Sequence, residues 1–146
     1  MHKDIEFLGF PSLQDTGDLP IFVDMSVPCG FPSPATDYEG QELNLNDFFV
    51  NNPASTYIVR ASGDSMIDTG IYPGDLLIVD RAKEPRNGSI VLAYFDGQFT
   101  IKRFFIKNGQ LELHPDNANA NYPIFIPTPE EECSIEGVIV GLGRRF

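Results

Sequence analysis

The sequence has few basic residues. Of its 146 residues, ten are Lys or Arg and 21 are Asp or Glu, which gives a formal net charge of −11. Proteins that bind duplex DNA draw most of their affinity from Lys and Arg side chains that contact phosphates. This shortage argues against direct binding of duplex DNA and favours partners that are proteins.

Long apolar runs and cysteines are also scarce. No run reaches the roughly 18 consecutive apolar residues that a membrane-spanning helix needs, and no basic-then-apolar signal peptide opens the sequence. We therefore expect a cytoplasmic protein that does not interact with a membrane. The two cysteines, Cys29 and Cys133, are then expected to be reduced thiols, and their spacing matches no metal site. Neither a metal nor another cofactor is predicted.

Turn-forming residues and Phe are abundant, whereas Trp is absent. The sequence holds 13 Gly, 12 Pro and 12 Phe, a composition that favours a β-rich fold over a helix bundle. The length suits one domain plus an arm. We predict a mostly β, curved, largely antiparallel fold with an extended N-terminal arm and one short helix around residues 45–49. Apolar runs between turns predict strands over residues 57–61, 76–80, 90–95, 98–105, 110–114, 122–126 and 134–142.

A sharp turn follows the first of these strands and ends at Ser65. Ser62, Gly63 and Asp64 are turn formers, so the chain bends there and presents the Ser65 hydroxyl beside backbone N–H groups. Acyl transfer needs both a nucleophile and donors for the oxyanion. A second interpretation stays open, because Ser65 and the acid at position 68 have the form of a helix capping box. The two roles can coexist.

Lys102 is the candidate base for Ser65, since the two histidines of the sequence lie in no triad context. Alternation along the strand 98–105 places Thr100 and Lys102 on one face. Burial on that face would disfavour the ammonium, and a fall of the lysine pKa from ~10.4 to about 7 corresponds to roughly 4.6 kcal/mol, which is within the range known for buried groups. The alternative is an edge or surface lysine. Arg103 suits that role better, because it points outward when Lys102 points inward.

The segment Pro28–Pro34 has the sequence PCGFPSP. Pro32 and Pro34 favour extended conformations at the residues that precede them. An extended stretch in which a small residue, Cys29, precedes Gly30 can thread easily into a protease cleft. From the residues alone, a plain proline-rich linker with an incidental cysteine remains the alternative.

Together these motifs resemble the self-cleaving Ser-Lys peptidases of the LexA/UmuD family, peptidase family S24. The resemblance covers the sequence from Leu19 to the C-terminus and rests on residues 30–35, 62–66, 74–80 and 99–102. The spacing also resembles that of the family, since Cys29 precedes Ser65 by 36 residues and Lys102 follows it by 37. The first 27 residues lack the length and pattern of a helix-turn-helix domain, which favours the UmuD branch over the repressors.

The resemblance implies a LexA/UmuD C-terminal-type fold and self-cleavage of the bond between Cys29 and Gly30. Ser65 would be the nucleophile and Lys102 the general base, and the backbone amides of Asp64 and Ser65 would hold the oxyanion. Residues 1–29 would then be an arm removed by cleavage, and residues 30–146 the mature domain.

The resemblance also implies a bacterial protein of the SOS response to DNA damage. A RecA filament on single-stranded DNA would stimulate cleavage, and the mature homodimer would act with a UmuC-like Y-family polymerase subunit in translesion synthesis and mutagenesis. Three other functions remain open. They are a signal peptidase, which also pairs a serine with a lysine but acts at membranes, an antirepressor or truncated repressor that only sequesters partners, and a non-catalytic β-rich module that binds a polymerase.

Overall fold

The computed structural model describes residues 5–9, 21–23, 27, 29–32 and 40–146. Its strands and helix follow one another as β1 (Ile5–Gly9), β2 (Ile21–Val23), β3 (Gly40–Glu42), α1 (Leu45–Phe49), β4 (Thr56–Ala61), β5 (Leu76–Asp80), β6 (Ile90–Phe95), β7 (Gln98–Lys107), β8 (Gln110–His114) and β9 (Cys133–Gly143). Single turns of 3₁₀ helix span Pro53–Ser55 and Ile67–Thr69. In the part of the chain described, no helix is both long and apolar enough to cross a membrane.

Seven strands form one sheet in the order β1-β4-β5-β9-β6-β7-β8, and every neighbouring pair is antiparallel. The strands β2 and β3 pair separately. The register shifts where β9 meets β5, between Ile78 and Val79, and where it meets β6, between Leu92 and Ala93. Bulges of this kind bend and twist a sheet. The predicted fold, mostly β and largely antiparallel with little helix, is confirmed.

Two tight turns set the register of β7, the strand that carries Lys102. Asp96 and Gly97 join β6 to β7 with φ values of 46° and 89°, and Asn108 and Gly109 join β7 to β8 with φ values of 52° and 76°. Positive φ at both central residues is the requirement of a type I′ hairpin turn, which Asp-Gly and Asn-Gly satisfy at low steric cost. Both turns join strands that the sequence analysis predicted, over residues 90–95, 98–105 and 110–114.

Buried apolar side chains form two clusters, one of which includes the loop after β4 that carries Ser65. One cluster of buried side chains joins β4, β5 and the loop that follows β4, and it comprises Tyr57, Val59, Ala61, Met66, Ile71, Leu77, Val79, Leu92 and Ile101. A second cluster joins β6, β8 and β9 through Val91, Ala93, Leu113 and Val138. Burial of apolar area at ~25 cal/mol per Å² is the main force that holds these strands together. The loop after β4 is therefore anchored to the core by Met66 and Ile71.

The structure corrects the prediction at two places. The strand predicted over residues 122–126 is wrong, because only Phe125 pairs there, in an isolated bridge with Leu113. Pro123 and Pro127 flank this bridge and lack the N–H that a ladder needs. The second difference is β1, which lies in the predicted N-terminal arm and extends the main sheet by pairing with β4. The rest of the arm, residues 1–4, 10–20, 24–26 and 28, lies outside the described residues.

Candidate active site

Ser65 lies in the loop after β4 and is almost completely buried, with 5% of its surface exposed. The capping-box interpretation is wrong. The 3₁₀ turn begins at Ile67, its cap residue is Met66, and no side chain caps it. The Ser65 hydroxyl contacts the side-chain nitrogen of Lys102 instead, with Nζ and Oγ 2.9 Å apart.

Lys102 lies in the middle of β7 and is 2% exposed, so the edge or surface alternative is wrong. Besides Ser65 Oγ, its Nζ contacts Thr100 Oγ1 at 2.6 Å and the backbone oxygen of Ile101 at 3.0 Å. The ring of Phe125 lies 5.7 Å away, measured from Nζ to the ring centroid. Alternation predicted the shared face of Thr100 and Lys102, but the sequence analysis gave Thr100 no role.

A short segment after β8, residues 116–118, holds the Ser65 loop by hydrogen bonds. The N–H of Asp116 donates to the backbone oxygen of Ser65 at 2.7 Å, and the N–H of Asp68 donates to the backbone oxygen of Asp116 at 2.9 Å. The side-chain amide of Asn117 donates to the backbone oxygen of Asp64 at 2.9 Å. The sequence analysis gave these residues no role, since no local pattern reveals contacts made across about fifty residues.

The side chain of Asp116 also links this loop to β7. Its carboxylate accepts a hydrogen bond from the Thr69 hydroxyl and lies 3.7 Å from Nε of Arg103. Arg103 also donates to Thr69 Oγ1 at 3.1 Å. Adjacent residues of one strand therefore reach the loop from opposite faces, since Lys102 contacts Ser65 and Arg103 contacts Thr69.

Two backbone donors remain available beside Ser65. Within residues 40–146, neither the N–H of Asp64 nor that of Ser65 donates to a protein acceptor. Unpaired N–H groups next to a nucleophile are the arrangement that stabilises an oxyanion. The carboxylate of Asp64 accepts from the Tyr122 hydroxyl, in keeping with its assignment as a turn residue.

Cys29 and Gly30 are exposed and are not packed against the Ser65–Lys102 pair. Phe31 keeps 94% of its surface exposed, and nothing lies within 4 Å of the place where a Cβ on Gly30 would be. Pro28 and residues 33–39 lie outside the described residues. The structure thus brings two of the predicted site residues together and leaves the bond between Cys29 and Gly30 apart from them.

His114 and Cys133 are two further titratable side chains among the described residues. Nε2 of His114 lies 2.8 Å from a carboxylate oxygen of Glu112. Burial raises the pKa of the Cys133 thiol, and the charge of Glu131 raises it further. Among the residues that the structure describes, no three His, Cys, Asp or Glu side chains come close enough to hold a metal ion.

Comparison with known proteins gives consistent matches. The family described as "Peptidase S24-like" matches residues 20–140. Protein ImpA of Salmonella typhimurium is 50% identical over 135 residues, which are 92% of this chain and 90% of the relative. Protein MucA of Escherichia coli is 42% identical over 114 residues, 77% of this chain and 76% of the relative. The LexA repressor of Clostridium perfringens is 37% identical over 129 residues, 88% of this chain and 60% of the repressor.

Proposed function

The chain belongs to the S24-like peptidase family, and we propose that it is a self-cleaving serine peptidase in which Lys102 activates Ser65 to cut the bond between Cys29 and Gly30. The observation that carries this proposal is the 2.9 Å contact between Lys102 Nζ and Ser65 Oγ at a buried position. A nucleophile and a base within hydrogen-bond reach are the minimum that nucleophilic catalysis requires.

Lys102 acts as a base only when its amine is neutral. Burial lowers the pKa of a lysine because it disfavours the ammonium form. A neutral amine has two N–H groups and one lone pair. The backbone oxygen of Ile101 can only accept, and Thr100 Oγ1 can accept the second N–H. The lone pair can then face the Ser65 hydroxyl, so the three contacts of Nζ fit the neutral amine as they also fit an ammonium that donates three N–H groups, and burial is the ground for the neutral form.

The acylation step follows from this arrangement. Ser65 Oγ attacks the carbonyl carbon of Cys29 while its proton moves to Nζ of Lys102. The N–H groups of Asp64 and Ser65 donate to the oxygen that becomes negative. When the tetrahedral intermediate collapses, the C–N bond breaks and Lys102 returns the proton to the nitrogen of Gly30. The products are an ester between Cys29 and Ser65 and a free amine at Gly30.

Hydrolysis of the ester repeats the same steps with water as the nucleophile. Lys102 takes a proton from water, the oxyanion forms again at the same donors, and the bond to Ser65 Oγ breaks. Lys102 then returns the proton to Ser65, and Cys29 becomes the carboxyl end of the released arm. Residues 1–29 are thereby separated from residues 30–146.

We further propose that this cleavage belongs to the SOS response in the bacterial cytoplasm. The similarity to ImpA, MucA and a LexA repressor supports that placement. In this proposal a RecA filament on single-stranded DNA stimulates cleavage, and the mature homodimer acts with a UmuC-like polymerase subunit in translesion synthesis. The net charge of −11 supports protein partners over duplex DNA.

Intact-mass spectrometry tests the proposal directly. The wild-type protein is incubated at pH 7 and near pH 10, beside Ser65→Ala and Lys102→Ala. The matched controls are Ser62→Ala, an exposed serine of the same loop, and Lys107→Ala, an exposed lysine of the same strand. We expect the loss of residues 1–29 in the wild type and both controls, faster at the higher pH, and an unchanged mass in the two site variants.

The contrary result is equally clear. If the wild-type mass stays unchanged at both pH values, even after addition of RecA, ATP and single-stranded DNA, the chain is not a self-cleaving peptidase. A peptidase-like binding module would then be the better interpretation. Cleavage that persists in Ser65→Ala would instead place the nucleophile elsewhere.

A further inference from the structure

Asn117 holds the peptide group between Asp64 and Ser65. Its Nδ2 donates to the backbone oxygen of Asp64 at 2.9 Å. Its Oδ1 accepts from the N–H of Asn119 at 3.1 Å, and this second bond fixes which end of the side-chain amide faces Asp64. The Asn117 side chain is thus held in one orientation by its own loop.

The geometry of the peptide group converts this contact into an orientation of the Ser65 N–H. A peptide group is planar, and in the trans form its C=O and N–H point in opposite directions. None of the described peptide bonds is cis. Because the C=O of Asp64 and the N–H of Ser65 belong to the same plane, a contact that holds the first sets the direction of the second. The Ser65 N–H therefore points away from Asn117.

We propose that Asn117 is a positioning residue that aims the N–H of Ser65 at the oxyanion. The inference rests on the proposed function, because it takes Ser65 as the nucleophile and its N–H as an oxyanion donor. Asn117 itself does not touch the reacting atoms. It acts through the peptide plane, from the opposite side.

Neighbouring contacts show how much of the loop depends on this segment. The N–H of Asp116 holds the next peptide plane by donating to the oxygen of Ser65 at 2.7 Å. The N–H of Ala118 donates to the carboxylate of Asp68 at 2.6 Å. The oxygen of Asp64 also accepts from the N–H of Ile67, at 3.2 Å. Loss of Asn117 would therefore loosen one plane without releasing the whole loop.

This predicts a moderate and specific loss of rate. Removal of an oxyanion donor costs about 10²–10³-fold in rate, and because Ile67 still restrains the plane we expect a smaller loss of about tenfold in Asn117→Ala. Asn117→Asp keeps the acceptor for Asn119 but cannot donate to Asp64, so it should lose at least as much. Asn119→Ala is the matched control, since Asn119 contributes only its backbone N–H.

The rate of self-cleavage between pH 7 and pH 10 distinguishes positioning from an effect on the base. We expect the two Asn117 variants to cleave more slowly at every pH, with the same midpoint of the pH profile as the wild type, because the contacts of Lys102 are unchanged. Asn119→Ala should match the wild type. A shifted midpoint, or equal rates in Asn117→Ala and Asn119→Ala, would overturn the inference.

A second measurement does not depend on cleavage. In full-length Lys102→Ala protein, ¹⁵N relaxation reports the order of the Ser65 N–H. We expect that order to fall when Asn117→Ala is added and to stay unchanged when Asn119→Ala is added. If the Ser65 N–H is equally ordered in both, Asn117 does not position it. If the wild type fails to cleave while this difference is observed, the proposed function fails and the positioning role stands.

Discussion

Replacement of Lys102 by Met tests whether folding removes the proton from this lysine. Met has a similar length and is apolar, and Lys102 is 2% exposed. An unfolded lysine keeps its proton up to about pH 10.4, so a folded chain with a neutral lysine at pH 7 must release one proton. For a lysine that is neutral in the folded state, the cost of that release falls by about 1.4 kcal/mol for each pH unit between pH 7 and the unfolded pKa of ~10.4.

Proton linkage determines whether the stability of the Lys102 protein rises or falls with pH. Between the folded and unfolded pKa values the unfolded state binds more protons, so the stability of the Lys102 protein rises with pH across that window. The Met variant has no such proton. The difference in free energy of unfolding between the Met variant and the Lys102 protein should therefore shrink by roughly 3–4 kcal/mol between pH 7 and pH 10. The hydrogen bonds that Met cannot make to Thr100 and Ile101 contribute a constant offset that cancels in this difference.

Denaturation by urea at pH 7, 8.5 and 10 measures this quantity. Both chains carry Ser65→Ala so that neither is cleaved, and Lys107→Met, at an exposed position on the same strand, serves as the control. A stability difference between Lys102 and Met that does not vary with pH would mean that Lys102 keeps its proton on folding. The reasoning that makes it a neutral base would then be refuted.

Two further predictions concern the sheet that supports the site. Gly137→Ala should destabilise the protein by about 1–3 kcal/mol in thermal or urea unfolding, because the new Cβ would lie 2.5 Å from Cγ1 of Val79. Gly143→Ala on the same strand is the control, since its new Cβ meets nothing within 4 Å. Equal stability of the two variants would contradict the crowding at Gly137. The second prediction concerns the buried Asp80, where burial raises the carboxyl pKa but hydrogen bonds from Asn52 and from nearby groups hold it below its usual value. Asn52→Ala should cost roughly 1.5–3 kcal/mol at pH 7. A lowered carboxyl pKa contributes stability above the unfolded pKa and loses it as pH falls through the folded pKa, so this cost should fade only as pH falls through the folded pKa of Asp80, which lies below the ordinary carboxyl value. A cost that stays the same after Asp80 has become protonated would argue against the charged hydrogen bond.

The sequence predicted correctly those elements whose structure depends mainly on neighbouring residues in the chain. The helix at residues 45–49 has a capping side chain at Asn44, and the Asp-Gly and Asn-Gly pairs determine their turns by allowing positive φ. Alternation placed Lys102 on an inner face without knowledge of the partner strands. The strand predicted over residues 122–126 was wrong because its apolar residues were weighted above Pro123 within it and Pro127 directly after it.

The remaining features depend on contacts between distant segments. The pairing of β1 with β4 joins residues 5–9 to residues 58–61, and the contact from Asn117 to Asp64 spans 53 residues. Nothing in the sequence near Asn117 distinguishes it from Asn119, because both belong to a polar loop. Only the tertiary fold, which brings the segment after β8 beside the loop after β4, makes one of these asparagines important.

In the proposed mechanism, the exposure of the bond between Cys29 and Gly30 gives a physical basis for control of its cleavage. Ser65 and Lys102 are buried and already in contact, whereas Phe31 keeps 94% of its surface exposed. If the scissile segment docks in about 1% of molecules, the apparent rate falls about 100-fold. A partner that favours the docked state by about 2.8 kcal/mol would raise the docked fraction to about half and recover about 50-fold in rate, without supplying any catalytic group. Alkaline pH acts on a different step, because it removes the proton from Lys102 and leaves docking unchanged. A regulator of this chain therefore needs only to hold the arm in place.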